Sequence, residues 1–205
     1  MTKIKTLIFD FGDVFINLDK EGAMQNALSL FELDEFPDEL IAINTLYEQG
    51  LISSDEFLEF YQDNFPKLSR KTILDAWNII LKGFPKHRLE FIQKLAKENQ
   101  YKLILLSNTN ELHINWIKEH VGFYNNFKAS FNQFYLSHEI GLRKPTKDIF
   151  QFVLDENDLV AQECLFIDDT KENTDIALKM GFHTWNIDET SQDVSNLFSI
   201  KSDLF

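Results

Sequence analysis

Five short apolar or β-branched runs divide the chain, at positions 4–9, 102–106, 133–136, 164–167 and 183–187. Each has the length of a strand, and polar residues close three of them at once. Between the runs the apolar period lengthens to that of a helix. Leu89, Ile92, Leu95 and Ala96 share one helical face, which ends near 97–99. Ile149, Phe150, Val153 and Leu154 repeat at i, i+4 after Pro145 and Thr146, a favourable helix entry. Ile176, Ala177 and Met180 follow the same rule and stop at Gly181, a residue suited to the position after a helix end. Alternating strands and helices predict an α/β fold with a doubly wound, mostly parallel, Rossmann-like sheet.

Positions 15–85 break the alternation, because nothing there reads as a buried parallel strand. Helical stretches are expected instead at 23–31, 38–49, 54–64 and 70–81. Ser53 and Glu56 have the spacing of a capping box. The expected organisation is a core built from 1–14 and 86–205, with 15–85 inserted as a small helical domain. From Asp188 onward the chain is polar, then mildly amphipathic at Val194, Leu197 and Phe198. The pattern leaves open whether that tail packs on the core or frays.

The ends of two runs carry the chemistry. The first stops at Asp10 and the fourth at Asp168-Asp169. A buried strand that delivers a carboxylate at its carboxyl end is how an open α/β sheet builds an active site. Side by side, these strands would crowd three carboxylates into one crevice. Such crowding needs a cation, and a hard one, Mg2+, is expected together with phosphate chemistry. Asp10 is followed by the glycine-containing turn Phe11-Gly12-Asp13-Val14, a setting for a nucleophilic carboxylate or for a simple turn aspartate. Ser107-Asn108-Thr109-Asn110 follows the second run and offers hydroxyl and amide donors to a phosphate, or an ordinary helix cap. Gly141-Leu142-Arg143-Lys144-Pro145 places cations in a short loop before a helix, where one could hold a phosphoryl oxygen.

Composition narrows the partners. A length of 205 residues fits one compact domain plus a modest insertion. The formal net charge of −13 argues against nucleic acid or an anionic membrane, but not against a small phosphorylated substrate. The 20 phenylalanines exceed what one small core absorbs, so some should line a pocket or a cap interface. The single cysteine, Cys164, forms no intramolecular disulfide and reads as a small buried hydrophobe. A strand at the N-terminus instead of a signal peptide, and no run long enough to span a bilayer, lead to the expectation of a soluble cytoplasmic protein.

Taken in order, the four strand-to-helix transitions resemble the haloacid dehalogenase superfamily of phosphohydrolases over essentially the whole chain. The helical insertion is similar to that superfamily's cap. The segments 9–14 and 141–145 resemble the subgroup that includes bacterial α-D-glucose-1-phosphate phosphatase. The resemblance implies that Asp10 forms an aspartyl-phosphate and that Ser107 and Lys144 bind the transferring phosphoryl group, with Asn108 close by. It implies Mg2+ ligation by Asp10, the Gly12 carbonyl and Asp169, with Asp168 outside them or acting through water. It also places the first strand between the second-motif and fourth-motif strands.

One departure stands out. The superfamily usually has a second aspartate two residues after the nucleophile, as acid and base; here that position is Gly12. Poor leaving groups should suffer most from its absence. Asp13 is the obvious substitute, although a turn-shaping role fits its position better. Phe15, Asn17, Trp77, Asn78 and His113 are candidates for meeting the leaving group, each with core packing or surface exposure as the alternative. The expected activity is Mg2+-dependent hydrolysis of a small phosphorylated metabolite, with a sugar phosphate among the possibilities. A phosphosugar mutase, a hydrolytic dehalogenase and a catalytically weak phosphate-binding or regulatory protein are the competing readings.

Overall fold

A computed structural model describes residues 3–205. The chain runs β1 (Thr6–Phe9), α1 (Lys20–Leu30), α2 (Asp38–Glu48), α3 (Ser54–Asn64), α4 (Arg70–Asn78), α5 (Lys86–Glu98) and β2 (Lys102–Ser107). It continues through α6 (Glu111–His120), α7 (Tyr124–Lys128), β3 (Gln133–Leu136), α8 (Ser137–Ile140), α9 (Lys147–Glu156) and β4 (Cys164–Asp168). It closes with α10 (Lys171–Lys179), β5 (His183–Asn186) and α11 (Leu197–Ile200). The five strands pair in parallel in the order β3-β2-β1-β4-β5.

The sheet follows from the side-chain period of two. Leu7 and Phe9, Leu103 and Leu105, and Leu165 and Ile167 point to one face and join one apolar cluster. Ile8, Ile104, Leu106 and Phe166 point to the other. Both faces are covered by helices, so the central strands need apolar residues at every position. Phe9 lies level with Leu105 and with Ile167, which brings the carboxyl ends of β1, β2 and β4 to one edge. The chain reverses its winding beside β1, and an open crevice forms there.

Much of the phenylalanine sits below that crevice. Phe15 meets Phe127 with ring centroids 4.9 Å apart, and Phe9, Phe84 and Phe131 close around them. Phe15 is therefore core, not a substrate contact, and the candidate role falls away. Cys164 is buried, and its thiol donates to the Val160 carbonyl at 3.3 Å.

Helices α1 to α4 enclose a third apolar cluster around Phe57 and Tyr61. The Ser53–Glu56 capping box forms in full. Asp19 caps α1 by accepting from the Gly22 N–H at 2.8 Å, so that helix begins earlier than periodicity suggests. Helix α4 stops at Asn78 rather than 81, because Leu81 turns into an antiparallel bridge with Leu18. Backbone bonds from Asn17 to Gly83, Lys82 to Asn17 and Asp19 to Ile80 complete that two-stranded crossing.

The tail packs. Val194 and Leu197 are fully buried in the β1 cluster. Arg88 of α5, itself buried, donates to Asp193 at 2.8 Å, to Asn17 Oδ1 at 2.9 Å and to the Phe15 carbonyl at 3.3 Å. One guanidinium thus holds the tail and the crossing together. Asn17 itself is exposed, and its side-chain carbonyl is engaged by this contact.

Candidate active site

The crevice is built from the loops that leave β1, β2 and β4. Asp10 follows β1 directly, and its N–H donates to the Ile167 carbonyl at 2.9 Å. Carboxylate oxygens of Asp10, Asp168 and Asp169 lie within 4.8 Å of one another. Ser107 ends β2, and its hydroxyl makes only a long contact of 3.4 Å, to the Asn108 carbonyl. Lys144 is almost fully buried and donates to Asp10 Oδ1 at 2.8 Å and to Asp168 Oδ2 at 2.6 Å. The structure therefore brings Asp10, Lys144, Asp168 and Asp169 into one cluster.

Burial sets the electrostatics. Desolvation, reinforced by Asp168 and Asp169, pushes the Asp10 carboxyl up to about 7 despite the attraction of Lys144. Burial also raises Asp169, against the pull of Lys20. Burial disfavours the Lys144 charge, but Asp10 and Asp168 outweigh it and raise the ammonium above its ordinary value. Three convergent carboxylates, two of them held above the ordinary carboxylate range, form a donor set that fits a hard divalent cation. Asp10, Asp169 and the Gly12 carbonyl would hold it. That carbonyl accepts from Val14 N–H at 2.7 Å and keeps a second lone pair.

Asp168 has a different environment. It accepts from Lys144, from Thr170 N–H at 2.8 Å and from Asn173 Nδ2 at 3.0 Å on both oxygens. It is saturated, and it orients Lys144. Asn108 is also engaged: its amide donates to the Lys144 carbonyl at 2.9 Å and accepts from the Lys144 N–H at 2.9 Å. Its side chain clamps one loop to the other.

Asp13 takes the turn-shaping part. Its φ is +53°, a conformation aspartate tolerates better than most residues. Oδ1 accepts from Leu18 N–H at 2.8 Å, and Oδ2 pairs with Lys20 at 2.8 Å. Lys20 was not flagged by the sequence, yet it spans Asp13 and Asp169, the latter at 2.5 Å. Asn173 was also missed. A lysine opening a helix looks like any surface cation, and only the fold brings its ammonium to Asp169. Asn173 had a readable signal, five residues after Asp168 in the first turns of the next helix.

Of the other candidates, Trp77 and His113 meet each other. Their rings stack at 5.2 Å, and His113 Nε2 lies 3.0 Å from the Trp77 carbonyl. Asn78 is buried beside them. Arg143 pairs with Glu48 of α2 at 2.6 Å, so the cation beside Lys144 reaches the inserted helices.

A family model described as haloacid dehalogenase-like hydrolase matches residues 4–181. The chain belongs to that family. This hydrolase is 30% identical over 191 residues to a protein of Bacteroides thetaiotaomicron named D-ribitol-5-phosphate phosphatase, an alignment covering 89% of this chain and 91% of the relative. It is similar to a haloacid dehalogenase family enzyme from the same organism solved with magnesium and inorganic phosphate, at TM-score 0.82 and 33% identity, covering 95% of the hydrolase and 99% of that chain. A hydrolase of the same family from Porphyromonas gingivalis superposes at TM-score 0.83 with 26% identity, over 99% of this chain and 98% of the other. No helix among the described residues is long and apolar enough to cross a membrane.

Proposed function

We propose that this hydrolase is a Mg2+-dependent phosphatase that cleaves a small phosphate monoester through an aspartyl-phosphate on Asp10. The observation that carries the proposal is the buried Lys144 bridging Asp10 and Asp168 at the carboxyl ends of β1 and β4. A carboxylate oxygen of Asp10 would attack phosphorus while the bond from phosphorus to the ester oxygen breaks, and the leaving oxygen takes a proton from water to depart as the alcohol. Lys144 and the Ser107 hydroxyl would hold the transferring oxygens, and Asp168 would keep Lys144 aimed. Water then releases inorganic phosphate and regenerates Asp10. Bound Mg2+ would offset the charge of the carboxylates and of the phosphoryl group.

Residues 15–85 serve as the cap in this reading. The relative named D-ribitol-5-phosphate phosphatase makes phosphate esters of small alcohols the class to test first. With Gly12 in place of the usual acid, esters whose oxygen leaves more easily than a simple alkoxide should be cleaved best. The test is p-nitrophenyl phosphate hydrolysis with Mg2+ and with chelator, for the native protein and Asp10→Asn. Turnover that needs Mg2+ and disappears in the variant is expected. Full turnover in chelator, or in the variant, would overturn the proposal.

A further inference from the structure

Helices α1 to α4 surround a cavity of about 400 Å³, within the range of small-molecule sites. Its walls are Ala27, Phe31, Phe57, Ile73 and Trp77. Lys20, Glu48, His113 and Arg143 also line it. Two of these lead to the crevice, since Lys20 pairs with Asp169 and Arg143 adjoins Lys144 in the chain. The cavity and the crevice are thus neighbours, joined through Lys20 and the loop that carries Arg143 and Lys144.

The polar groups in its wall are largely taken. Tyr61 donates to Asn44 Oδ1 at 2.7 Å, and the Thr45 hydroxyl donates to the Ile41 carbonyl at 2.9 Å. Trp77 Nε1 donates to Asn110 Oδ1 at 3.2 Å. His113 lies against the Trp77 carbonyl, and burial pushes its imidazole down to about 4, so it stays neutral. A chain of hydroxyls entering here would give up water and find few replacements. A ring or a branched alkyl group would lose nothing polar and would meet aromatic faces.

We propose that this cavity receives the organic part of the phosphoester, and that this part is apolar, an aryl or branched-alkyl group, rather than a polyol. The inference rests on the phosphatase reading for its setting. It separates this chain from the relative named for D-ribitol 5-phosphate, and it accounts for aromatic residues lying outside the sheet core.

The test compares 2-phenylethyl phosphate with D-ribitol 5-phosphate, both esters of primary alcohols, on the Mg2+-loaded protein. The expected kcat/KM favours the phenyl ester by on the order of tenfold. An equal or lower value overturns the inference. Ala27→Phe, which fills the cavity, should pull the ratio back toward the ribitol ester; a ratio unmoved overturns it as well. Both substrates are read on one preparation, so a partly folded variant leaves the ratio interpretable. If neither ester nor acetyl phosphate is cleaved, the phosphatase reading fails. Calorimetric binding of the two esters to Mg2+-loaded protein then decides the cavity alone, tighter binding of the phenyl ester supporting it and tighter or equal binding of the ribitol ester overturning it.

Discussion

Asp10 should make the metal-free protein lose stability as pH rises, and Asp10→Asn should remove that loss. The carboxyl is pushed from its usual 3.8 up to about 7 by burial and by Asp168 and Asp169. A group whose folded value is raised contributes stability that is complete below its unfolded value and lost as pH climbs through its folded value. Ionising Asp10 in the folded, metal-free protein therefore costs on the order of 4 kcal/mol, at ~1.4 kcal/mol per pH unit between the two values. More than half of that falls between about pH 5 and pH 8. Asparagine keeps the shape and does not titrate. The assay is urea unfolding of both proteins in chelator across that interval. The native protein should fall relative to Asp10→Asn by about that amount, and added Mg2+ at the alkaline end should restore it. A stability difference that stays flat with pH, or one that moves the other way, would refute the reasoning.

Asn173→Ala removes two contacts that fix Asp168, and turnover should drop roughly 10- to 100-fold with unfolding midpoints little changed, checked by steady-state kinetics beside denaturation. Arg88→Met leaves Asp193 and Asn17 without their shared donor and should destabilise by about 3 kcal/mol in urea unfolding near neutral pH. Burial disfavours ionised Asp193, but its Ser195, His87 and Arg88 donors prevail and hold it below the usual range; this stability is present above the ordinary carboxylate value and fades in acid. Gly12→Asp should fold, because the added Cβ would meet only the mobile end of Leu18, at 2.7 Å. It should raise turnover of alkyl phosphates relative to p-nitrophenyl phosphate by ~10-fold or more, since only the poor leaving group needs an acid.

The sheet was legible because parallel strands buried on both faces must be apolar throughout, as 164–167 are. The strand-end acids were legible for the converse reason: a carboxylate abutting such a run has no structural excuse. Division of labour among them came only from the family resemblance, not from the residues themselves. Asp168 and Asp169 look alike in sequence, and only the donors at Thr170 and Asn173 reveal that the first is saturated. The reciprocal pairing of Asn108 with the Lys144 peptide likewise has no local signal, since the partners lie 36 residues apart. The tail was undecidable because its attachment depends on Arg88, a residue whose burial no local pattern announces.

Lys20 and Lys144 have a consequence for which ions the crevice can accept. Four occluded acids, Asp10, Asp13, Asp168 and Asp169, share these two ammonium groups. Fully ionised, the set falls short of electroneutrality by two charges. A monovalent ion would leave half of that deficit, and Glu189, whose carboxylate lies within 4.8 Å of those of Asp13 and Asp169, enlarges it further. Charge alone thus favours a multivalent over a monovalent guest, before size or coordination number comes into play.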